Sequence, residues 1–220
     1  MNELQTRQRA AWAGIGAVVM IGLGVALGAL VGVDQPDLAD ADILERVNDG
    51  PRQIAAGIAM PVLGIGAALL IWFATGLRRA LDEISDGDPL THAIVPAAAM
   101  LGALTIAGVG LDVSTAVTAM SDSFTPTADI ARVLGTAGLL TGLTALAGGA
   151  VIIAVSTRLA HRADALPTWT VWSSYALAAL CLTSFWTAGT ASVAFALWII
   201  GAVVALLREA RPATPPFADR

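Results

Sequence analysis

The chain has no lysine and little charge of any kind. Its twelve basic residues are all arginines, and charged residues make up 13% of the 220 residues, against roughly 25% in an average soluble domain. A soluble protein needs a polar surface that this composition does not supply, whereas hydrocarbon requires none. The composition therefore argues against an ordinary soluble domain and indicates a protein whose solvent is largely lipid.

Basic charge is also scarcer than acidic charge. The chain has 17 acidic and 12 basic residues, which gives a formal net charge of -5. Binding to nucleic acid requires a basic stripe against the phosphate backbone. We therefore expect no nucleic-acid partner.

Cysteine pairs and catalytic motifs are missing as well. The single cysteine, Cys181, lies in an apolar run, so the chain has neither a disulfide framework nor a cysteine pair for a metal. The His-Glu-x-x-His, Gly-x-Ser-x-Gly and P-loop patterns are absent. The serines of the fifth apolar run have no nearby histidine or lysine to activate them. We expect no catalytic residues, no metal, no cofactor and no enzymatic activity.

Long apolar runs dominate what is present. A membrane-spanning helix needs about 20 apolar residues, and we predict an all-α polytopic membrane protein, a bundle of six transmembrane helices within residues 1–208. Residues 209–220 contain three prolines and are predicted to form a disordered cytoplasmic tail. Gly189 is predicted to form the turn before the last span. The predicted spans are about 10–33, 54–77, 93–120, 131–155, 169–186 and 191–207.

The connectors carry two local signals. Residues 41–47 are predicted to form a short amphipathic helix that turns Ile43, Leu44 and Val47 towards the membrane surface. The segment 86–89, Asp-Gly-Asp-Pro, predicts a turn between the second and third spans. Both connectors are polar, as expected of segments outside a bilayer.

The arginines predict the orientation of the bundle. With six spans both termini share one side, and nine arginines lie on that side against three on the other. Short cytoplasmic loops carry an excess of arginine and lysine, so both termini are predicted to be cytoplasmic. The three arginines opposite are Arg46, Arg52 and Arg132.

Asp112 is the one ionisable group inside a long apolar run. A charged side chain within hydrocarbon is costly and faces the interior of a bundle or a water-filled cavity. Thr105, Asp112 and Thr115 share one face of the third predicted helix because of their helical spacing. Asp112 either locks helices together or lines a shallow polar pocket. In the second case we expect it to pair with Arg52 or Arg132, the basic groups at similar depth.

Three glycines of the first span, Gly24, Gly28 and Gly32, recur every four residues. Such small faces let helices approach closely. The pattern is typical both of a dimerisation seam and of packing within one chain, and the sequence leaves both open.

A basic loop leads into Leu166-Pro167-Thr168-Trp169 at the start of the fifth run. In this feature and in its topology the chain resembles uncharacterised six-helix families of small bacterial integral membrane proteins, which are domains of unknown function. The resemblance implies a prokaryotic plasma membrane and supplies no active residues.

The chain has many helix faces made of small residues and few residues that could carry out a reaction. We therefore expect a scaffold or accessory subunit of a membrane complex, with the lipid bilayer and a second copy or another membrane protein as partners. The alternative is a small transporter or channel subunit with a polar path near Asp112.

Overall fold

The computed structural model describes residues 3–32, 38–121 and 125–209 of the chain. All regular secondary structure in these ranges is helical, as the sequence predicts. The helices are α1 Glu3–Ala29, α2 Asp40–Asn48, α3 Gly50–Ile84, a short 3-10 helix Pro89–Ala93, α4 Ile94–Thr118, α5 Ala128–Arg162, α6 Thr168–Leu182 and α7 Ser184–Glu209.

Five stretches of the described helices are long and apolar enough to cross a membrane, which is compatible with a membrane-embedded protein. The predicted count of six is not confirmed. The fifth predicted span corresponds to α6, whose 15 residues measure ~22 Å, less than the roughly 30 Å of a hydrocarbon core. The five are Gln5–Ala29, Gly50–Ile84, Pro89–Thr118, Ala128–Arg162 and Gly189–Leu207.

Two predictions fall wholly or partly on residues outside the described ranges. Most of the predicted disordered tail, 210–220, lies there, while Glu209 is the last residue of α7. Residues 33–37 of the first polar loop also lie there.

The turn predicted at 86–89 is confirmed, with Asp86 and Gly87 at φ values of 50° and 76°.

Small residues set the distances between the long helices. A Cβ added at Gly24 of α1 would lie 2.5 Å from a carbon of Leu63 in α3, and one added at Gly28 would lie 2.7 Å from Val109 in α4. Both glycines therefore serve packing within the chain, one of the two interpretations of their spacing. Gly32 lies beyond the end of α1 with a φ of 48°, so it is not part of a helical face.

The two ends of the bundle are distinguished by the chain termini. A Cβ at Gly14 of α1 would lie within 3 Å of both Phe73 of α3 and Val203 of α7. The first half of α1 and the last half of α7 are therefore neighbours. We call this the terminal end of the bundle, and the opposite end, where α1 and α4 stop and α5 begins, the distal end.

Helix α2 packs across the distal end. It forms where the amphipathic pattern predicts a helix, but its apolar face is not turned towards a membrane surface as predicted. Ile43 and Val47 are fully buried, and the cluster around them also contains Val31, Val113, Ala116 and Ala131. The prediction was wrong on this point because the distal turns of α1, α4 and α5 present apolar side chains of their own, and Ile43 and Val47 pack against these.

Helices α6 and α7 form a tight hairpin at one flank. The Cys181 sulfur lies 4.0 Å from the Ala191 carbonyl oxygen, although the two residues would be ~15 Å apart along one continuous helix. The reversal takes place at Thr183, which lies between the two helices. Gly189, predicted to form this turn, lies inside α7, so that prediction was wrong. A single residue with ordinary negative φ closes the hairpin, and no glycine is needed.

The hairpin turn lies near the middle of α5 and not at the distal end. The Ser184 hydroxyl donates a hydrogen bond of 2.9 Å to the Leu143 carbonyl oxygen, and Leu143 lies ~22 Å from the distal start of α5. Further along α7, a Cβ at Gly149 of α5 would lie 3.0 Å from Phe195. From Ser184 to Phe195, α7 advances ~16 Å while α5 advances only ~9 Å between the matching contacts. Helix α7 therefore crosses α5 obliquely.

Candidate binding site

A cavity of about 540 Å³ lies between four helices. Its walls come from the distal half of α1, the centres of α4 and α5, and the first part of α7. Ligand pockets in proteins typically enclose ~300–1,000 Å³, so the volume suits a small organic molecule. The lining residues fall within 18–32 of α1 and the turn that follows it, 101–112 of α4, 135–146 of α5 and 189–199 of α7.

Glycines on α4 and α5 form the floor of this cavity. A Cβ at Gly138 would lie 2.5 Å from the Gly108 carbonyl oxygen and 2.9 Å from the Asp112 backbone nitrogen. The two helices therefore approach until their backbones touch, which only glycine permits here. A Cβ at Gly142, one turn further along α5, would meet no atom within 4 Å. Because Gly142 lines the cavity, its missing side chain leaves part of that space open.

Asp112 lines the cavity towards its distal end. The residue is partly buried, and its Oδ1 atom is inaccessible to solvent. Its main chain lies against Gly138 of α5, which fixes the position of the carboxylate relative to the floor. The structure therefore places the one acid of the long apolar runs at a wall of this cavity.

Thr105 lies on the same wall, two turns away. Its hydroxyl donates to the Leu101 carbonyl oxygen at 2.7 Å, which leaves the oxygen as an acceptor towards the cavity. Towards the terminal end the walls become apolar, with Leu146, Phe195 and Ile199 among the lining residues. The cavity therefore has its one carboxylate towards the distal end, among lining residues that are otherwise mostly apolar.

The cavity is open at the flank of the bundle between α1 and α7. Gly22 and Val25 of α1 and Gly189 and Ser192 of α7 all line it and are exposed. The two helices touch near Gly14, towards the terminal end. Access to the cavity therefore runs sideways into the surroundings of the bundle.

The five residues predicted from the sequence as a polar site fall into two groups. Asp112 and Thr105 line the cavity. Thr115 is 1% exposed and packed in the distal part of the bundle, and its hydroxyl has no hydrogen-bond partner among the described residues. Arg52 and Arg132 belong to the distal end, where Arg52 lies 3.4 Å from the Asp49 carboxylate. The pairing of Asp112 with one of these arginines stays a prediction.

Arg132 and Arg46 fasten the segment around α2. Arg132 forms an ion pair of 2.6 Å with Asp40 and donates to the Leu38 carbonyl oxygen at 2.7 Å. Arg46 donates to the carbonyl oxygen of Gly32 at 2.8 Å, and Gly32 itself lines the cavity. The two arginines therefore hold α2 over the distal end beside the cavity.

Sequence reasoning missed the contribution of α5. Gly135, Gly138 and Gly142 repeat at spacings of three and four residues, the same spacing as Thr105, Gly108 and Asp112 on α4. Two such faces on antiparallel neighbours place small residues opposite small residues. That match was available in the sequence as a signal for a helix contact, but it does not show that space remains beside the contact.

The described residues bring together no three histidine, cysteine, aspartate or glutamate side chains that could hold a metal ion. The cavity offers the carboxylate of Asp112, the hydroxyl oxygen of Thr105 and apolar walls. These groups can bind a small molecule through hydrogen bonds and apolar contacts. Comparison of the chain with protein families, with curated proteins and with solved structures gives no match.

Proposed function

We propose that the protein resides in a prokaryotic plasma membrane with both termini in the cytoplasm, and that it binds an apolar or amphiphilic small molecule in the cavity beside Asp112. This assigns it to the transporter or channel-subunit class rather than to the enzymes. The observation that carries the proposal is the laterally open cavity of about 540 Å³ with Asp112 and Thr105 in its wall.

The topology we propose has four full crossings and one hairpin. Helices α1, α3, α4 and α5 cross the bilayer, while α6 and α7 enter from the cytoplasmic side and return to it. This arrangement keeps the predicted orientation, because Arg162 and Arg208 both stay on the cytoplasmic side. The sequence contains no arginine between them, so the positive-inside rule does not place the hairpin turn on either side of the membrane.

The lateral opening supports a ligand that arrives through the membrane. A molecule dissolved in the distal leaflet meets the gap between α1 and α7 directly, with no aqueous vestibule to cross. Apolar walls bind the hydrocarbon part of such a molecule through close packing, and a small number of polar groups fix its orientation.

Filling the cavity tests the proposal. Gly142→Phe introduces a side chain where a Cβ has open space in the cavity, and Gly64→Phe does the same on the exposed surface of α3. We expect saturable binding of radiolabelled dodecylamine or dodecanol to the protein in nanodiscs, measured against empty nanodiscs. Gly142→Phe should abolish it and Gly64→Phe should leave it unchanged. Equal binding to both variants would refute the assignment of the cavity.

A scaffold or accessory role remains the second candidate and is favoured by one observation. Trp186 is 81% exposed, packs edge-on against exposed Phe185 and follows the hairpin turn near the middle of α5. An indole N–H in hydrocarbon is left without a partner, and tryptophan prefers the membrane interface for that reason. A neighbouring protein over the turn would supply the missing partner.

Cross-linking tests the second candidate for the case of a second copy. In a Cys181→Ala background, Trp186→Cys should give disulfide-linked dimers on oxidation if two hairpins meet. Val193→Cys, on an exposed part of the same helix, is the matched control. Dimers from Trp186→Cys alone would support self-association through the turn.

A further inference from the structure

A second cavity, of about 290 Å³, lies where the α6–α7 turn meets α5. Leu182 and Phe185 line it and are 66% and 64% exposed, so it opens at the flank of the bundle. The hydroxyl of Thr144, another lining residue, donates to the Leu140 carbonyl oxygen at 2.8 Å. The Ser184 hydroxyl is likewise bonded to the main chain of α5. The lining contains no charged side chain, so the second cavity suits hydrocarbon.

One face of α5 leads from the second cavity to the terminal end of the bundle. Ala147, a lining residue, is followed by Val151 and Arg158 at spacings of four and seven residues, which place all three on one helix face. Val151 is 41% exposed and Arg158 is exposed. The distance along α5 from Ala147 to Arg158 is ~16 Å, close to half of the roughly 30 Å hydrocarbon core of a bilayer. The face therefore has the length of one membrane leaflet.

Helix α6 forms the other side of this groove. It contains no charged residue, and half-buried Tyr175 lies seven residues before Leu182, on the same helix face. The start of α6 at Thr168 lies ~21 Å from Leu182, and Arg158 lies about as far from Leu143 along α5. Arg158 and the start of α6 are therefore at the same height. We call the face of α5 from Ala147 to Arg158, together with this face of α6, the α5–α6 groove.

Two exposed indoles mark the height of the groove's outer end. Trp169 and Trp172, in the first turns of α6, are 73% and 70% exposed. Exposed tryptophans prefer the boundary between hydrocarbon and lipid head groups. The end of the groove at Arg158 therefore lies at the level of the head groups.

Arg158 supplies a positive charge at that end. It forms no ion pair with any residue in the part of the chain that the structure describes. His161, one turn further along α5, is exposed, whereas Arg162 pairs with Asp88 at 3.0 Å. Asp164 lies beyond the end of α5 in the connector to α6. The Arg158 guanidinium can therefore receive an anionic group.

We propose that the α5–α6 groove binds one anionic phospholipid of the cytoplasmic leaflet. Its phosphate lies beside Arg158, and one acyl chain runs past Val151 into the second cavity. This inference rests on the membrane topology of the proposed function and not on the cavity beside Asp112. Arginine forms charge-assisted hydrogen bonds with phosphate, and basic sites between helices on the cytoplasmic side bind anionic lipid heads. The acyl chain fills apolar space below the hairpin turn.

Two lipids with identical chains test the head group. Dioleoylphosphatidylglycerol is anionic, dioleoylphosphatidylcholine is zwitterionic, and native mass spectrometry of the protein in detergent counts the molecules of each that bind. We expect one phosphatidylglycerol to bind about fivefold more tightly, the effect of one arginine near an anionic head. Arg158→Gln should remove this preference. Equal affinities for the two lipids in the unaltered protein would refute the head-group assignment.

Arg79→Gln is the matched control. Arg79 is exposed near the terminal end of α3 and, like Arg158, forms no ion pair with the described residues. Its replacement removes the same charge from the same end of the bundle but leaves the groove intact. The preference for phosphatidylglycerol should persist. Its loss in both variants would mean that the lipid responds to overall charge, and would overturn the proposal.

Filling the second cavity tests the position of the chain. Ala147→Phe should weaken the binding of dioleoylphosphatidylglycerol and leave dihexanoylphosphatidylglycerol unchanged, because the shorter chains end before the cavity. Gly64→Phe, on the exposed surface of α3, should affect neither lipid. Should Ala147→Phe not fold, the two lipids are compared in the unaltered protein, where equal affinities would refute the seat of the chain.

The outcomes separate this inference from the proposed function. Arg158→Gln should leave the binding of dodecanol in nanodiscs unchanged. If Gly142→Phe fails to block dodecanol while Arg158→Gln removes the lipid preference, the cavity beside Asp112 is refuted and the lipid site stands. If dodecanol binds as proposed but no lipid preference is found, this inference alone fails. A second copy seated on the groove would appear in the same spectra as a dimer that Ala147→Phe abolishes, and would also refute it.

Discussion

The hydroxyl of Ser184 donates a hydrogen bond of 2.9 Å to the carbonyl oxygen of Leu143. This contact fixes the position of the α6–α7 turn along α5. Leu143 lies near the centre of α5, so the hairpin ends where that helix is only half traversed. Helix α7 runs from this turn towards the terminal end, and among the described residues the cavity lining of α1 and α7 is exposed at Gly22, Val25, Gly189 and Ser192. The depth of the turn and the lateral access to the site are therefore one structural feature.

The depth of the turn predicts slow chemical labelling at Thr183. In a Cys181→Ala background, Thr183→Cys should react slowly with a membrane-impermeant maleimide from either side, because the proposed topology places its exposed side chain in hydrocarbon. Asn48→Cys at the distal end and Asp86→Cys at the terminal end should react quickly, each from one side. Fast reaction of Thr183→Cys from the same side as Asn48→Cys would mean that α6 crosses the bilayer completely.

The contact between α4 and α5 predicts a strong response to one added methyl group. Gly138→Ala places a carbon 2.5 Å from the Gly108 carbonyl oxygen, and such overpacking costs ~1–3 kcal/mol. Gly64→Ala, whose Cβ meets nothing within 4 Å, should be neutral or stabilise by up to ~1 kcal/mol, because alanine is the better helix former. Thermal unfolding in detergent compares the two, and equal midpoints would contradict the close approach.

The arginine that holds α2 predicts local opening when it is removed. Arg132→Gln loses the ion pair with Asp40 and the bond to the Leu38 carbonyl. The pair is partly exposed, so after solvent screening the loss is about 1 kcal/mol, and amides of α2 should exchange roughly fivefold faster.

Arg52→Gln is the matched control for that change. Its ion pair with Asp49 spans only three residues and connects α2 to nothing beyond its own connector. Hydrogen exchange followed by mass spectrometry over residues 40–48 should distinguish the two variants. Equal protection in both would show that Arg132 does not fasten α2.

The arginine distribution predicts the sidedness of the bundle. A fluorescent protein fused after Arg220 should fold and fluoresce, as it does in the cytoplasm, whereas alkaline phosphatase inserted after Asn48 should be active, as it is outside. The same pair of reporters in the opposite state would reverse the proposed orientation without changing the fold.

Part of the fold could be predicted from the sequence, because a hydrophobic run of membrane length forms a helix through hydrogen bonds within the run itself. Within hydrocarbon each peptide group must be satisfied inside its own segment, so the runs around α1, α3, α4 and α5 predict helices whatever their neighbours are. The amphipathic signal of α2 and the turn at 86–89 are local in the same sense. The isolated acid, Asp112, could be singled out because its cost depends on its surroundings being apolar and not on any particular contact.

The remaining features depend on which surfaces meet. The run at 169–186 has the composition of a span, yet Thr183 ends α6 early, because α6 and α7 pack on each other and on α5 instead of continuing. Ile43 and Val47 are buried by α2 docking and not by lipid, a choice between two apolar surroundings that the pattern of α2 does not distinguish.

The sequence by itself determined three things. It determined the helices, their apolar composition and the position of the one ionisable residue within the long apolar runs. The tertiary structure alone decided that Asp112 and Thr105 line one cavity while Arg52 and Arg132 serve the distal end. The physical reason is that a cavity is the volume left over after helices pack. Its existence depends on the distances and tilts between α1, α4, α5 and α7, and no property of a single helix encodes those.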